Sequence, residues 1–140
     1  MTTKSYLQQL DRYSKQINNK LAEIYQLGSL ATNIGVTLKA DMIKSSPDMD
    51  KMGDCVSDIV DKENEAKKMI SEYINMKQII INQINELPNT LQMQVLFSKY
   101  VEMKTHEEIA TELGYCEKQI RRVHNNGIKE FERIYGKLYL

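Results

Sequence analysis

Apolar residues recur at three- and four-residue spacing along nearly the whole chain, and nowhere do they alternate as a half-buried strand requires. The pattern predicts an all-α protein. Leu7, Leu10, Ile17, Leu21, Ile24 and Ala31 follow a three-four alternation, broken where Ser14 and Gly28 take the expected positions, and predict one helix from about Ser5 to Ile34. The stretch GVTLKADMIKSSP gathers Gly35, Thr37, two serines and Pro47 and reads as a connection. Ser46 before Pro47 suits a helix start, because the hydroxyl can cap free N–H groups and proline at the first helical position gives up no hydrogen bond. From there Met52, Val56, Ile59, Glu63, Ala66, Ile70, Tyr73, Lys77, Ile80, Ile84 and Leu87 step four, three, four, three. This is a heptad seam, the signature of a helix that supercoils against another.

At a rise of about 1.5 Å per residue that helix would be roughly 60 Å long, more than a chain of 140 residues can cover by itself. The first helix can fold back as an antiparallel neighbour, but its seam is shorter and imperfect. A homo-oligomer through residues 52–87, with a dimer favoured, is therefore expected. Glu63 and Lys77, the polar seam positions, either set register and oligomer number or snorkel at the edge of an intramolecular hairpin.

Leu87-Pro88 interrupts the seam, since proline disfavours the helical conformation in the residue before it. The expected boundary lies here, between a helical hairpin or coiled-coil oligomerisation region, 1–86, and a C-terminal domain, 87–140. Leu91, Val95, Leu96, Phe97, Tyr100 and Val101 predict a helix of about fourteen residues, capped by Asn89 or Thr90. In THEEIATELG, Thr105 and Glu108 form an S/T-x-x-E capping box, and Gly114 stands where a left-handed residue ends a helix. A last helix from Glu117 to about Tyr135 would bury Ile120, Val123, Gly127 and Phe131 against Ile109, Ala110 and Leu113. Helix, tight glycine turn and helix make a helix-turn-helix, the arrangement that holds a second helix in a DNA major groove.

With Ile120 at the centre of the buried face, the outward positions are Lys118, Arg122, Asn125, Lys129 and Arg133, flanked by Gln119, Arg121 and Asn126. Arginine can bond guanine O6 and N7 in bidentate fashion, and Asn or Gln can do the same with adenine, so residues 118 to 125 suit base edges. Lys129 and Arg133 suit phosphates. The candidate DNA-binding set is Lys118, Gln119, Arg121, Arg122, Asn125, Lys129 and Arg133. Charge sharpens this reading. The formal net charge is zero, but residues 118 to 137 carry six basic side chains against two acidic, a local excess of +4 that leaves −4 elsewhere. The competing reading is an ordinary solvated face on a structural helix.

Leu87 to Ile134, LPNTLQMQVLFSKYVEMKTHEEIATELGYCEKQIRRVHNNGIKEFERI, resembles region 4 of bacterial sigma factors in the Leu-Pro start, the EIATELG helix, the short loop and the QIRRVHNNGIKEF helix. It departs at Cys116, where a serine or threonine cap is usual. A helical N-terminal half carrying SSPDMDKMGD ahead of such a module is similar to small phage-encoded late-transcription regulators of the RinA and ArpU type. That resemblance implies a sequence-specific DNA-binding activator of phage late genes, acting on double-stranded DNA in the bacterial cytoplasm, with host RNA polymerase as a partner. A complete sigma factor is not expected, because the 86 residues before the module contain neither Trp nor Phe to hold a melted strand.

Two other functions compete. A phage small terminase subunit also joins a helix-turn-helix to oligomerising helices but uses its DNA site for packaging, and a coiled-coil adaptor would bind protein through the seam and no DNA. An enzyme is not expected, for want of paired carboxylates or a glycine-rich phosphate loop. His106 and His124 read as surface or DNA-proximal residues. Cys55 and Cys116 stand 61 positions apart without a CxxC or Cys/His cluster, which argues against a disulfide framework and against zinc. No metal and no cofactor are expected. The methionines read as core. No apolar run approaches the length of a membrane span and no signal peptide follows Met1, so no membrane partner is expected.

Overall fold

The computed structural model describes the backbone of residues 1–41 and 49–140 and the side chains of 1–30, 53–54 and 56–140. Helix α1 spans Thr3–Asp41, α2 Met49–Asn85, α3 Thr90–Leu96, α4 His106–Leu113 and α5 Glu117–Tyr135. A π-helical turn, Phe97–Val101, continues α3, and a 3-10 turn, Gly136–Leu138, comes after α5. No strand occurs among the described residues. The chain is all-α, as its periodicity requires.

Residues 35–41, expected as connection, are the last turns of α1. Gly, Val and Thr cost a helix interior about 1 kcal/mol or less each, which neighbouring helical residues offset, and no proline stands before Pro47 to stop it. The expected Ser46-Pro47 cap lies outside the described residues.

The break at Leu87-Pro88 falls between α2 and α3, as expected. Contacts nonetheless divide the chain into two compact units, Met1–Ser14 with Tyr73–Leu140, and Lys15–Glu72. The C-terminal three helices therefore share a unit with the start of α1 and the end of α2.

In that unit Leu7 and Leu10 of α1, Ile80, Ile84 and Leu87 of α2's seam, and Leu96, Tyr100 and Phe131 form one core. Val95, Ile109, Ala110 and Ile120 form a second. Polar contacts tie the same elements together: Tyr6 donates to Gln83 at 2.8 Å, the Thr3 hydroxyl meets Glu132 at 3.2 Å and Tyr139 at 2.9 Å, Tyr135 donates to Glu86, and the Tyr6 and Tyr139 rings stack at 4.3 Å. The seam residues Ile80, Ile84 and Leu87 are thus covered within the chain. That stretch of the expected oligomer contact is already occupied.

The other unit is an antiparallel helical hairpin. Among its described residues Ile17 and Ala66 are buried, and Lys20 pairs with Glu65 at 2.9 Å while Lys62 pairs with Glu23 at 2.7 Å. Here the seam stays open: Val56 and Glu63 are exposed and Ile59 and Ile70 only half-buried. A straight helix drifts by about 20° per heptad, so one long seam need not meet one surface throughout.

Candidate nucleic-acid interface

Asn89 caps α3, its side-chain oxygen accepting from the Gln92 N–H at 3.0 Å. The helix is shorter than expected, because at Phe97 the backbone widens to π-helical hydrogen bonding, with Glu102 N–H reaching Phe97 O at 3.1 Å. Such an inserted residue turns the next side chains about the helix axis. It carries Tyr100 into the core and leaves Met103 exposed at a φ of 58°, outside the core that the methionine spacing predicts.

Thr105 caps α4 as expected, accepting from the Glu108 N–H at 3.2 Å. Gly114 ends it at a φ of 74°, and the Gly114 and Tyr115 N–H groups both bond the Ala110 carbonyl at 3.0 Å. Ala110 is buried where α4 meets α5, and Gly127 brings α5 close to α3: a methyl group on its Cα would lie 3.3 Å from Leu96 Cγ. Two small residues thus fix how α5 is seated. The Cys116 side chain is exposed at the start of α5, and Gln119 closes a capping box there, its Oε1 accepting from the Cys116 N–H at 3.1 Å.

Each of the sequence-predicted site residues is exposed on α5. Lys118, Arg122, Asn125, Lys129 and Arg133 lie along one face, while Ile120, Gly127 and Phe131 are buried and Val123 half-buried behind them. They differ in freedom. Arg121 is paired with Glu117 at 2.6 Å and Arg133 with Glu130 at 2.5 Å, the latter holding the Glu130 carboxyl below its ordinary range. Gln119 has spent its carbonyl oxygen on the helix start. Lys118, Arg122 and Lys129 have no ion-pair partner among the described residues. Beyond them Lys129, Arg133 and Lys137 line one shallow groove with Glu132. The face thus offers three cations that no described acid holds, two cations shared with acids, and the amides of Asn125 and Asn126.

His124, read from the sequence as a surface or DNA-proximal residue, is not at the surface but buried. Its Nε2 lies 2.6 Å from the Tyr100 hydroxyl and its Nδ1 3.3 Å from Asn125 Oδ1, and the His106 ring meets it edge-on at 4.9 Å. Burial pushes His124 down to about 4, with the Asn125 bond opposing and neighbouring His106 adding to the shift. Burial likewise pushes the Tyr100 hydroxyl up to about 12 and lowers half-buried His106. A neutral ring with the proton on Nδ1, donating to Asn125 and accepting from Tyr100, satisfies both contacts. His124 thus links the core to Asn125 on the exposed face. Its spacing marks the position, since Ile120, His124, Gly127 and Phe131 step four, three, four along the buried face of α5, but the π-helical turn that supplies Tyr100 leaves no sequence mark.

No cluster of His, Cys, Asp or Glu among the described residues could hold a metal ion, and no helix there is long and apolar enough to cross a membrane. No family model, curated protein or solved structure matches the chain.

Proposed function

We propose that the protein is a sequence-specific reader of double-stranded DNA, a transcriptional regulator of the phage late-activator kind, with α5 in the major groove. The observation that supports it is the outward face of α5, where Lys118, Arg122 and Lys129 stand exposed, with no ion-pair partner among the described residues, on a helix seated by a capped α4 and a glycine turn. An unpaired cation on a rigid helix loses little on meeting a phosphate or a guanine edge, whereas Arg121 and Arg133 must first leave Glu117 and Glu130. Lys118, Arg122 and Asn125, nearer the helix start, are the base readers of this assignment; Lys129 and Arg133 hold the backbone.

Fluorescence anisotropy of the intact chain against genomic fragments and random duplex, across a salt series, tests the reading. A DNA reader shows a steep loss of affinity with salt and prefers one fragment. Arg122→Ala costs about 1–3 kcal/mol on the preferred site and relaxes one base preference, while Lys129→Ala weakens all sequences alike. A site at a promoter fits regulation and one at a packaging start fits a terminase role. No association at low salt refutes DNA binding.

A further inference from the structure

Among its described residues, the hairpin within Lys15–Glu72 leaves one side exposed. Its two cross-helix ion pairs, Lys20 to Glu65 and Glu23 to Lys62, share one antiparallel register, which sets Tyr25 level with Val60 and Leu21 level with residue 64. Ile17 and Ala66 mark the faces that the two helices turn to each other. Measured from those faces by helical periodicity, Leu21 and Tyr25 of α1 and Val56, Val60, Glu63 and Lys67 of α2 fall toward the same side of the pair. Leu21 is 46%, Tyr25 72%, Val56 48% and Val60 48% exposed. Single apolar residues on a surface are ordinary, but four gathered on one side of a two-helix layer mark a contact surface. Two helices alone form half of a layered core.

Charge identifies the occupant. Val60, Glu63, Lys67 and Ile70 are arranged symmetrically about Glu65, apolar outside and opposite charges inside. Laid antiparallel on a second copy, Glu63 faces Lys67 of the partner subunit, Val60 faces Ile70 of the partner subunit, and Leu21 lies close to the axis. A parallel copy would set Glu63 against its own counterpart. Neither Glu63 nor Lys67 has an ion-pair partner among the described residues, although their spacing permits one within the helix. We propose that two copies of the chain pair through this side of the hairpin, about a two-fold axis at the level of Glu65, with Glu63 and Lys67 exchanging charges across it. A two-fold axis uses one patch twice and closes the assembly at two. The pairing would supply the second half-site of a DNA reader but does not rest on DNA binding.

Sedimentation velocity of the full chain over a hundredfold concentration range tests it, with far-UV circular dichroism to confirm that each variant keeps its helix content. The wild type forms a dimer. Glu63→Lys and Lys67→Glu each weaken it at least tenfold, and the two together restore it to within about threefold, because the reversed charges again face opposites. Val60→Asp, at an exposed position, leaves the helices intact and the chain monomeric. A wild type monomeric throughout, a trimer or ring, or a double reversal no tighter than the single ones overturns the proposal. Anisotropy on the same samples separates the two readings: specific DNA binding by a monomer overturns the pairing alone, and a charge-dependent dimer indifferent to DNA overturns the DNA reading alone.

Discussion

Acid should loosen the unit that carries α5 before its carboxylates titrate, and His124 is the reason. The ring is 4% exposed, and its neutral form satisfies Tyr100 and Asn125 together. In an unfolded chain it takes up a proton near its ordinary value of 6.5, whereas the fold holds it neutral down to about 4. Between those values the unfolded state binds more protons, so stability is fully present above 6.5 and is lost as pH falls toward 4. Each pKa unit is worth about 1.4 kcal/mol, which makes the loss roughly 2–3 kcal/mol once partial screening is allowed for. Small domains hold only about 5–15 kcal/mol in total, so the effect is measurable. Urea unfolding monitored by circular dichroism, at intervals between pH 7.5 and 4.5, should show the wild type losing stability across the window. His124→Gln, which keeps a hydrogen-bond donor and an acceptor but cannot titrate, should lose markedly less, and the difference removes the carboxylates common to both. Parallel curves, or a His124 NMR titration centred near 6.5, would refute the reasoning.

Gly114→Ala should lower stability by about 1 kcal/mol in denaturant unfolding, since the left-handed backbone there, φ 74°, strains any residue with a Cβ. Gly127→Leu should cost more than about 2 kcal/mol, because even a first added carbon lies 3.3 Å from fully buried Leu96; a smaller loss of melting temperature than Gly114→Ala would place α3 and α5 further apart. Cys116→Ser should raise stability by up to about 1 kcal/mol, as a hydroxyl can accept from the first N–H groups of α5, and an unchanged midpoint would mean that Gln119 already suffices.

The two helices α4 and α5 and the turn between them were legible because their signals are local. Thr105, Gly114 and the start at Glu117 act on their own backbone, and caps and left-handed turns depend on residues within one turn of chain. The exposed face of α5 came from periodicity alone, with Lys118, Arg122 and Lys129 outward. Which of those cations are free depended on the rotamers of Glu117 and Glu130, and spacing does not settle that.

The seam of α2 shows the limit from the other side. Its three-four stepping determined that a long helix with an apolar edge would form, and the proline at 88 determined where it ends. What covers that edge was decided in three dimensions, where Leu7 and Leu10 take Ile80 and Ile84 into the core and Val56 stays in solvent. His124 divides in the same way: its step of four from Ile120 puts it on the buried face of α5, whereas its partner Tyr100 comes from a π-helical turn that only the structure shows. Hydrophobic periodicity is a property of one helix, so the order of residues is enough to determine elements, their ends and their faces. Burial is a property of two surfaces meeting, and which surfaces meet is settled when the helices pack in three dimensions.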